Sequence, residues 1–139
     1  MDGKNKSLHP SLVSIVDDDL SVRRSTRRLL RSAGFRAEVF ASAEEFLMSG
    51  RAEETACLIL DLRMPGMNGL QLQRQLADAS NPIPIIFLSA HASADYERRA
   101  LLAGAIQFLQ KPTSKDTLLL AIRNALKISP NNKGRTPRP

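Results

Sequence analysis

The sequence predicts an α/β fold, a doubly wound, five-stranded parallel sheet with five helices. Three observations predict it. Short aliphatic runs recur five times along the chain. A helical pattern follows each of them. The runs are mostly apolar rather than alternating, as strands buried on both faces are. Regular alternation of strand and helix implies parallel strands, joined by crossovers of fixed hand and covered by helices on both faces.

The first run, residues 12–16, is interrupted only by Ser14. A helix over 21–33 follows, with Val22, Leu29 and Leu30 among five arginines and Gly34 as its stop. The second run, 37–41, is weaker. Ser42 then opens a short helix, with Glu45 three residues on as a capping box. The third run, 57–60, ends at Asp61, and the helix over 68–79 carries Leu70, Leu72 and Leu76 behind Gly66 and Gly69. The fourth run, 83–88, is split by Pro84 and leads to a helix over 93–103 that stops at Gly104. The fifth, 105–109, precedes Lys111-Pro112 and a helix over 114–128. That helix places Leu118, Leu119, Ile122, Ala125 and Leu126 at a helical period.

The chain has 139 residues, enough for one core and too few for two full domains. Residues 1–10 read as a disordered N-terminal segment and 11–128 as the domain. Residues 129–139 combine prolines with Lys133, Arg135 and Arg138, a basic tail or the stub of a linker. Aromatics are only 4%, so the core is aliphatic. The net charge of +6 suits an acidic partner but does not bear on the fold. It also hides the acidic triplet Asp17, Asp18 and Asp19. The single cysteine, Cys57, excludes an internal disulfide and reads as a small buried hydrophobe. The first ten residues lack the apolar stretch of a signal peptide, and no apolar run is long enough to span a membrane. A cytoplasmic location without membrane contact is the expectation.

In open parallel sheets, ligands bind beyond the carboxyl ends of the strands. Asp17 and Asp18 follow the first strand, Asp61 the third, Ser89 the fourth and Lys111 the fifth. Brought to one edge, three carboxylates repel one another unless a cation compensates. Oxygen ligands of this kind suit Mg²⁺. An Asp carboxylate can act as a nucleophile toward phosphorus. Lys111 is a point charge for phosphate oxygens and Ser89 a hydroxyl donor. Singly, each has an ordinary explanation: Asp19 is a helix N-cap, Asp61 a loop residue, Lys111 a solvated turn. Their joint placement at four strand ends is what points to a site.

Four stretches carry a family resemblance. They are Ile15-Val16-Asp17-Asp18-Asp19, Leu60 through Gly69 with its Asp-x-x-Met-Pro-x-Met-x-Gly pattern, Phe87-Leu88-Ser89-Ala90-His91, and Phe108-Leu109-Gln110-Lys111-Pro112. In this order they resemble the receiver domain of two-component response regulators over residues 11–127. The Gly104-Ala105 pair before Phe108 is most similar to the FixJ type of the NarL/FixJ family. The resemblance implies a CheY-like, flavodoxin-like sheet of order 2-1-3-4-5. It makes Asp61 the phosphoacceptor, charged by a sensor histidine kinase. Asp18 would bind Mg²⁺ directly, with Asp17 acting through water and the backbone carbonyl of Arg63 as a further ligand. Ser89 becomes the switch hydroxyl, Lys111 the phosphate-pairing lysine, Phe108 the switch aromatic, and Lys111–Pro112 a cis bond.

The face made by the last two helices and the strand between them is the implied output or homodimer surface. Phe108 also has an ordinary reading as core. The arginines of the first helix read as a solvated face or a kinase-docking face, and His91 as a loop residue near Ser89. DNA would be reached only through an output domain outside this chain. The chain is then a stand-alone receiver or one cut in its linker.

Three rival readings fit the residues less well. A phosphatase of the haloacid-dehalogenase kind needs an acid where Arg63 stands. A flavin binder needs a phosphate-cradling loop where the acidic triplet stands. A receiver-shaped adaptor that works without phosphorylation would not need all five key positions filled.

Overall fold

The computed structural model describes residues 11–91 and 93–129, so the expected terminal segments fall largely outside it. The strands are β1 (Leu12–Val16), β2 (Arg36–Phe40), β3 (Thr55–Leu60), β4 (Ile85–Ser89) and β5 (Gln107–Gln110). The helices between and after them are α1 (Leu20–Ser32), α2 (Ala43–Met48), α3 (Gly69–Asp78), α4 (Ala94–Leu102) and α5 (Lys115–Ile128). A short 3-10 turn, Ala52–Glu54, precedes β3. All pairings are parallel and the order is β2-β1-β3-β4-β5. Both the architecture and the order match the sequence expectation.

The continuous apolar runs have a simple cause. Val13 and Ile15 of β1, Cys57 and Ile59 of β3, and Ile86 and Leu88 of β4 face a core closed by Leu30 of α1 and by Leu118 and Ile122 of α5. The alternate residues, Val16, Leu58, Leu60, Ile85 and Phe87, face a second core with Phe46 of α2, Leu72 and Leu76 of α3 and Ala100 of α4. The period-2 side-chain alternation therefore meets helices on either side. The central strands are buried along their whole length.

Ser14 interrupts the first run without loss, because its Oγ lies 2.8 Å from Thr55 Oγ1. Thr55 gives its own hydrogen to the Arg51 carbonyl, so Ser14 is the donor. Cys57 is fully buried and burial pushes its thiol up to about 12, which keeps it protonated and inert.

Four strand starts differ from the sequence expectation, with β2 opening one residue early at Arg36 and β3 two residues early at Thr55. β4 begins at Ile85 rather than 83, since Pro84 has no N–H to give the ladder, although its carbonyl accepts from Leu58. β5 begins at Gln107 rather than 105, because the Ala105 N–H closes α4 by bonding the Ala100 carbonyl. The capping box of α2 is also offset. Ser42 accepts from the Glu45 N–H, but the Glu45 carboxylate reaches the Ala41 N–H, one residue before the cap.

After α3 the chain turns through Ser80 at φ 58, in the left-handed region, with the Asn81 N–H on the Leu76 carbonyl. Glycine takes this conformation without the Cβ penalty. Ser80→Gly should stabilise the protein by about 0.5 kcal/mol, read as a higher urea midpoint with an unchanged slope.

Candidate functional site

The sheet ladder sets Asp17, Asp61 and Lys111 each one step beyond its strand, while Ser89 is itself the last residue of β4 rather than the first after it. The Asp17 N–H bonds the Phe40 carbonyl, the Asp61 N–H the Val16 carbonyl at 2.9 Å, and the Lys111 N–H the Ser89 carbonyl at 2.9 Å. Because β1 and β3 are neighbours while their helices leave to opposite faces, a cleft opens above them. Asp17, Asp18 and Asp61 meet there. One carboxylate oxygen from each lies within 4.8 Å of the others.

Asp17 is buried and both its oxygens are engaged. Oδ1 accepts from the Asp19 N–H at 2.9 Å, and Oδ2 accepts from Lys111 Nζ at 2.8 Å. The Arg23 guanidinium donates to the Asp17 carbonyl at 2.8 Å. Asp18 is exposed. Asp19 caps α1, accepting from the Ser21 and Val22 N–H groups. Asp61 is only 5% exposed, and its Oδ1 is the one buried side-chain polar atom among the described residues without a partner. Its Oδ2 lies 3.8 Å from Lys111 Nζ.

Burial raises the Asp61 carboxyl above its ordinary range, and the Asp17 charge adds to this. Lys111 and the Ser89 hydroxyl pull the other way, and Asp18 again raises it. One lysine thus faces three acids, and a buried carboxylate oxygen is left over. A hard divalent cation taking carboxylate oxygens supplies both the missing charge and the missing partner, so these residues fit Mg²⁺.

Ser89 is fully buried at the end of β4, and its Oγ accepts from the His91 N–H at 3.1 Å. His91 itself is exposed. Phe108 is half-buried on β5, its ring stacked on buried Phe87 at 5.6 Å and 20°. The Lys111–Pro112 peptide is cis. Arg63 is exposed in the segment after Asp61.

Of the α1 arginines, Arg23 and Arg31 are tied to backbone carbonyls, while Arg24 and Arg28 are exposed. Three residues have a part in the site's packing that the sequence reading did not assign to them. Gly69 lies where a Cβ would stand 2.5 Å from the Asp61 carbonyl oxygen. Buried Gln73 donates to the Ala100 carbonyl and ties α3 to α4. Glu44 reaches from α2 to the Met67 N–H. Gln73 and Glu44 carry no local pattern that could have marked them, whereas Gly69 closes the Asp-x-x-Met-Pro-x-Met-x-Gly stretch.

Comparison with known proteins shows the family of the chain. The model of the response regulator receiver domain matches residues 13–123. The response regulator protein TmoT of Ectopseudomonas mendocina is 46% identical over 127 residues, which cover 91% of this chain and 58% of that protein. The transcriptional regulatory protein FixJ of Bradyrhizobium diazoefficiens is 33% identical over 115 residues, 83% of this chain and 56% of that protein. The solved structure of response regulator StyR superposes with a TM-score of 0.79 at 50% identity, covering 85% of this chain and 60% of that one. The chain thus spans somewhat over half the length of these relatives. It belongs to the response regulator receiver family of two-component systems, with FixJ-type regulators among its relatives.

Proposed function

We propose that Asp61 accepts a phosphoryl group from a phosphohistidine of a sensor kinase. The observation that carries this reading is the buried, unpartnered Asp61 Oδ1 at the centre of the acidic cluster, with Lys111 Nζ 3.8 Å from Oδ2. A carboxylate oxygen of Asp61 attacks phosphorus, a new P–O bond forms and the P–N bond to the kinase histidine breaks. The electron pair leaves with the imidazole nitrogen, and the acyl phosphate stays on Asp61.

Mg²⁺, held by Asp18, Asp61 and the Arg63 carbonyl, with Asp17 acting through water, would neutralise charge on the transferring group. The two filled hydrogen-bonding positions of Asp17 support its indirect role. Lys111 pairs with a phosphate oxygen. The Ser89 hydroxyl turns to another, and the space it leaves is open to Phe108. Loss of its stacking on Phe87 then shifts the face made by α4, β5 and α5.

Exposed Leu101, Leu102 and Leu120 support a homodimer or output contact on that face. In a longer protein of the relatives' kind, that contact would regulate transcription through an output domain that binds DNA. No helix among the described residues is long and apolar enough to cross a membrane, which suits the cytoplasmic place of such a phosphorelay.

Intact-mass analysis after incubation with acetyl phosphate tests the chemistry. The expected result is one added phosphoryl group that requires both Mg²⁺ and Asp61 and is absent from Asp61→Asn. No adduct on folded wild-type protein, with beryllofluoride also failing to bind, would favour an adaptor that works without phosphorylation.

A further inference from the structure

Glu44 belongs to α2, and nothing in its local sequence separates it from Glu45 beside it. In the structure its carboxylate crosses to the segment between β3 and α3. Oε2 accepts from the Met67 N–H at 2.9 Å. A Cβ on Gly66 would lie 2.7 Å from that same oxygen, and Gly66 holds φ +77. Glycine at 66 therefore meets two needs, a left-handed backbone and clearance for an acceptor from another element. The Met67 N–H is the first cause that holds the Glu44 carboxyl below its ordinary range, followed by the N–H of Glu44 itself.

The ends of this segment are fixed by other means. The Asp61 N–H is in the sheet ladder, the Gly69 N–H donates to the Leu62 carbonyl at 2.8 Å, and Asn68 forms a full capping box with Gln71. Between them, Arg63, Pro65 and Gly66 are exposed and Met64 is buried. Among the described residues, the bond from Met67 to Glu44 is the one hydrogen bond that anchors residues 63–67.

We propose that Glu44 is a positioning residue for the acidic pocket. By holding Met67 it fixes the backbone that follows Asp61 and presents the Arg63 carbonyl to a divalent cation in one orientation. The inference rests on the reading of the pocket given above and adds a group on a different element to it. Partners that orient metal ligands commonly affect affinity as strongly as some ligands do.

The test uses the full chain, Glu44→Ala and Glu44→Gln, with two readouts. Calorimetric titration gives the Kd for Mg²⁺, and ¹⁵N-resolved hydrogen exchange reports the Met67 amide without metal. Alanine removes both acceptor and charge, whereas glutamine keeps an acceptor oxygen and removes only the charge. Glu44→Ala is expected to speed Met67 exchange roughly tenfold and weaken Mg²⁺ binding roughly 5- to 10-fold. Glu44→Gln should stay within about twofold of wild type on both, since it preserves the bond.

Equal weakening by Ala and Gln would assign the effect to net charge and overturn the proposal. Unchanged Met67 exchange in Glu44→Ala would overturn it too, with the pocket reading intact. Wild-type protein that takes up no Mg²⁺ would overturn the pocket reading itself, and Glu44's role with it.

Discussion

Replacing Asp61 by asparagine is expected to make the metal-free protein more stable at pH 7, by about 1–3 kcal/mol. The buried carboxylate lacks a partner for Oδ1 and faces Asp17 and Asp18 across less than 4.8 Å. An amide removes the charge and keeps the shape. The sign follows from proton linkage. The folded-state pKa of Asp61 is raised from its ordinary 3.8, so the native state binds a proton before the unfolded chain does. Ionised Asp61 therefore lowers stability above its raised pKa, and this penalty fades as pH falls toward 3.8. The gap between wild type and Asp61→Asn should be widest at neutral pH and narrow on acidification.

Comparing the two proteins isolates this group from Glu44 and Glu54, whose carboxyls are held low by a backbone N–H and by Arg51 and act in the opposite sense. Mg²⁺ at saturating concentration should raise the wild-type melting temperature and leave that of Asp61→Asn nearly unmoved. Thermal melts at several pH values, with and without Mg²⁺, measure both effects. A destabilised Asp61→Asn at pH 7 would mean that Lys111 already compensates the charge.

Gly69→Ala should produce the largest loss. An alanine Cβ would stand 2.5 Å from the Asp61 carbonyl oxygen, 2.9 Å from Phe87 Cε1 and 3.1 Å from Leu62 Cα. Two of these neighbours are backbone, and Phe87 is fully buried and stacked on Phe108. None can swing aside as an exposed side chain would. Overpacking of this kind costs about 1–3 kcal/mol, or roughly 5–12 °C in melting temperature for a domain of this size. The strain also falls on the peptide that carries Asp61 and on the ring beneath Phe108. Phosphoryl acceptance should therefore drop even at temperatures where the variant remains folded. Melting curves by circular dichroism, with intact-mass phosphorylation at 15 °C, separate the two effects. A variant with wild-type stability would show that α3 can slide away from β3.

Much of this was legible from spacing alone. A run such as Cys57-Leu58-Ile59-Leu60 is apolar at every position because both faces of the sheet are covered. A capping residue such as Asn68 or Ser114 declares a helix start through its own side chain. The acidic site was legible because Asp17, Asp18 and Asp61 follow strands, and the sheet order that gathers them was what the family resemblance implied. What spacing could not supply were bonds between elements whose partners are backbone groups. Glu44 looks like any acid near a helix start until Met67 lies beside it. Gln73 looks like a surface residue of α3 until α4 covers it, leaving it 5% exposed. Arg23 and Arg31 read as members of a charged face, yet each ends on a main-chain carbonyl. Main-chain groups are the same at every position, so no residue type announces them.

The ion pair of Lys111 with Asp17 joins positions 94 apart in the chain. Closing so long a loop is slow relative to forming any single strand–helix–strand unit. β5, which leads to Lys111, lies at an edge and pairs only with β4. An ensemble in which this edge has detached would keep Asp17, Asp18 and Asp61 together without their lysine. On the roles proposed above, cation affinity and phosphate retention would then part company, the acids being assigned to the ion and the lysine to the phosphate. Partial unfolding of this kind would leave a species that still takes up metal yet fails to hold its signal.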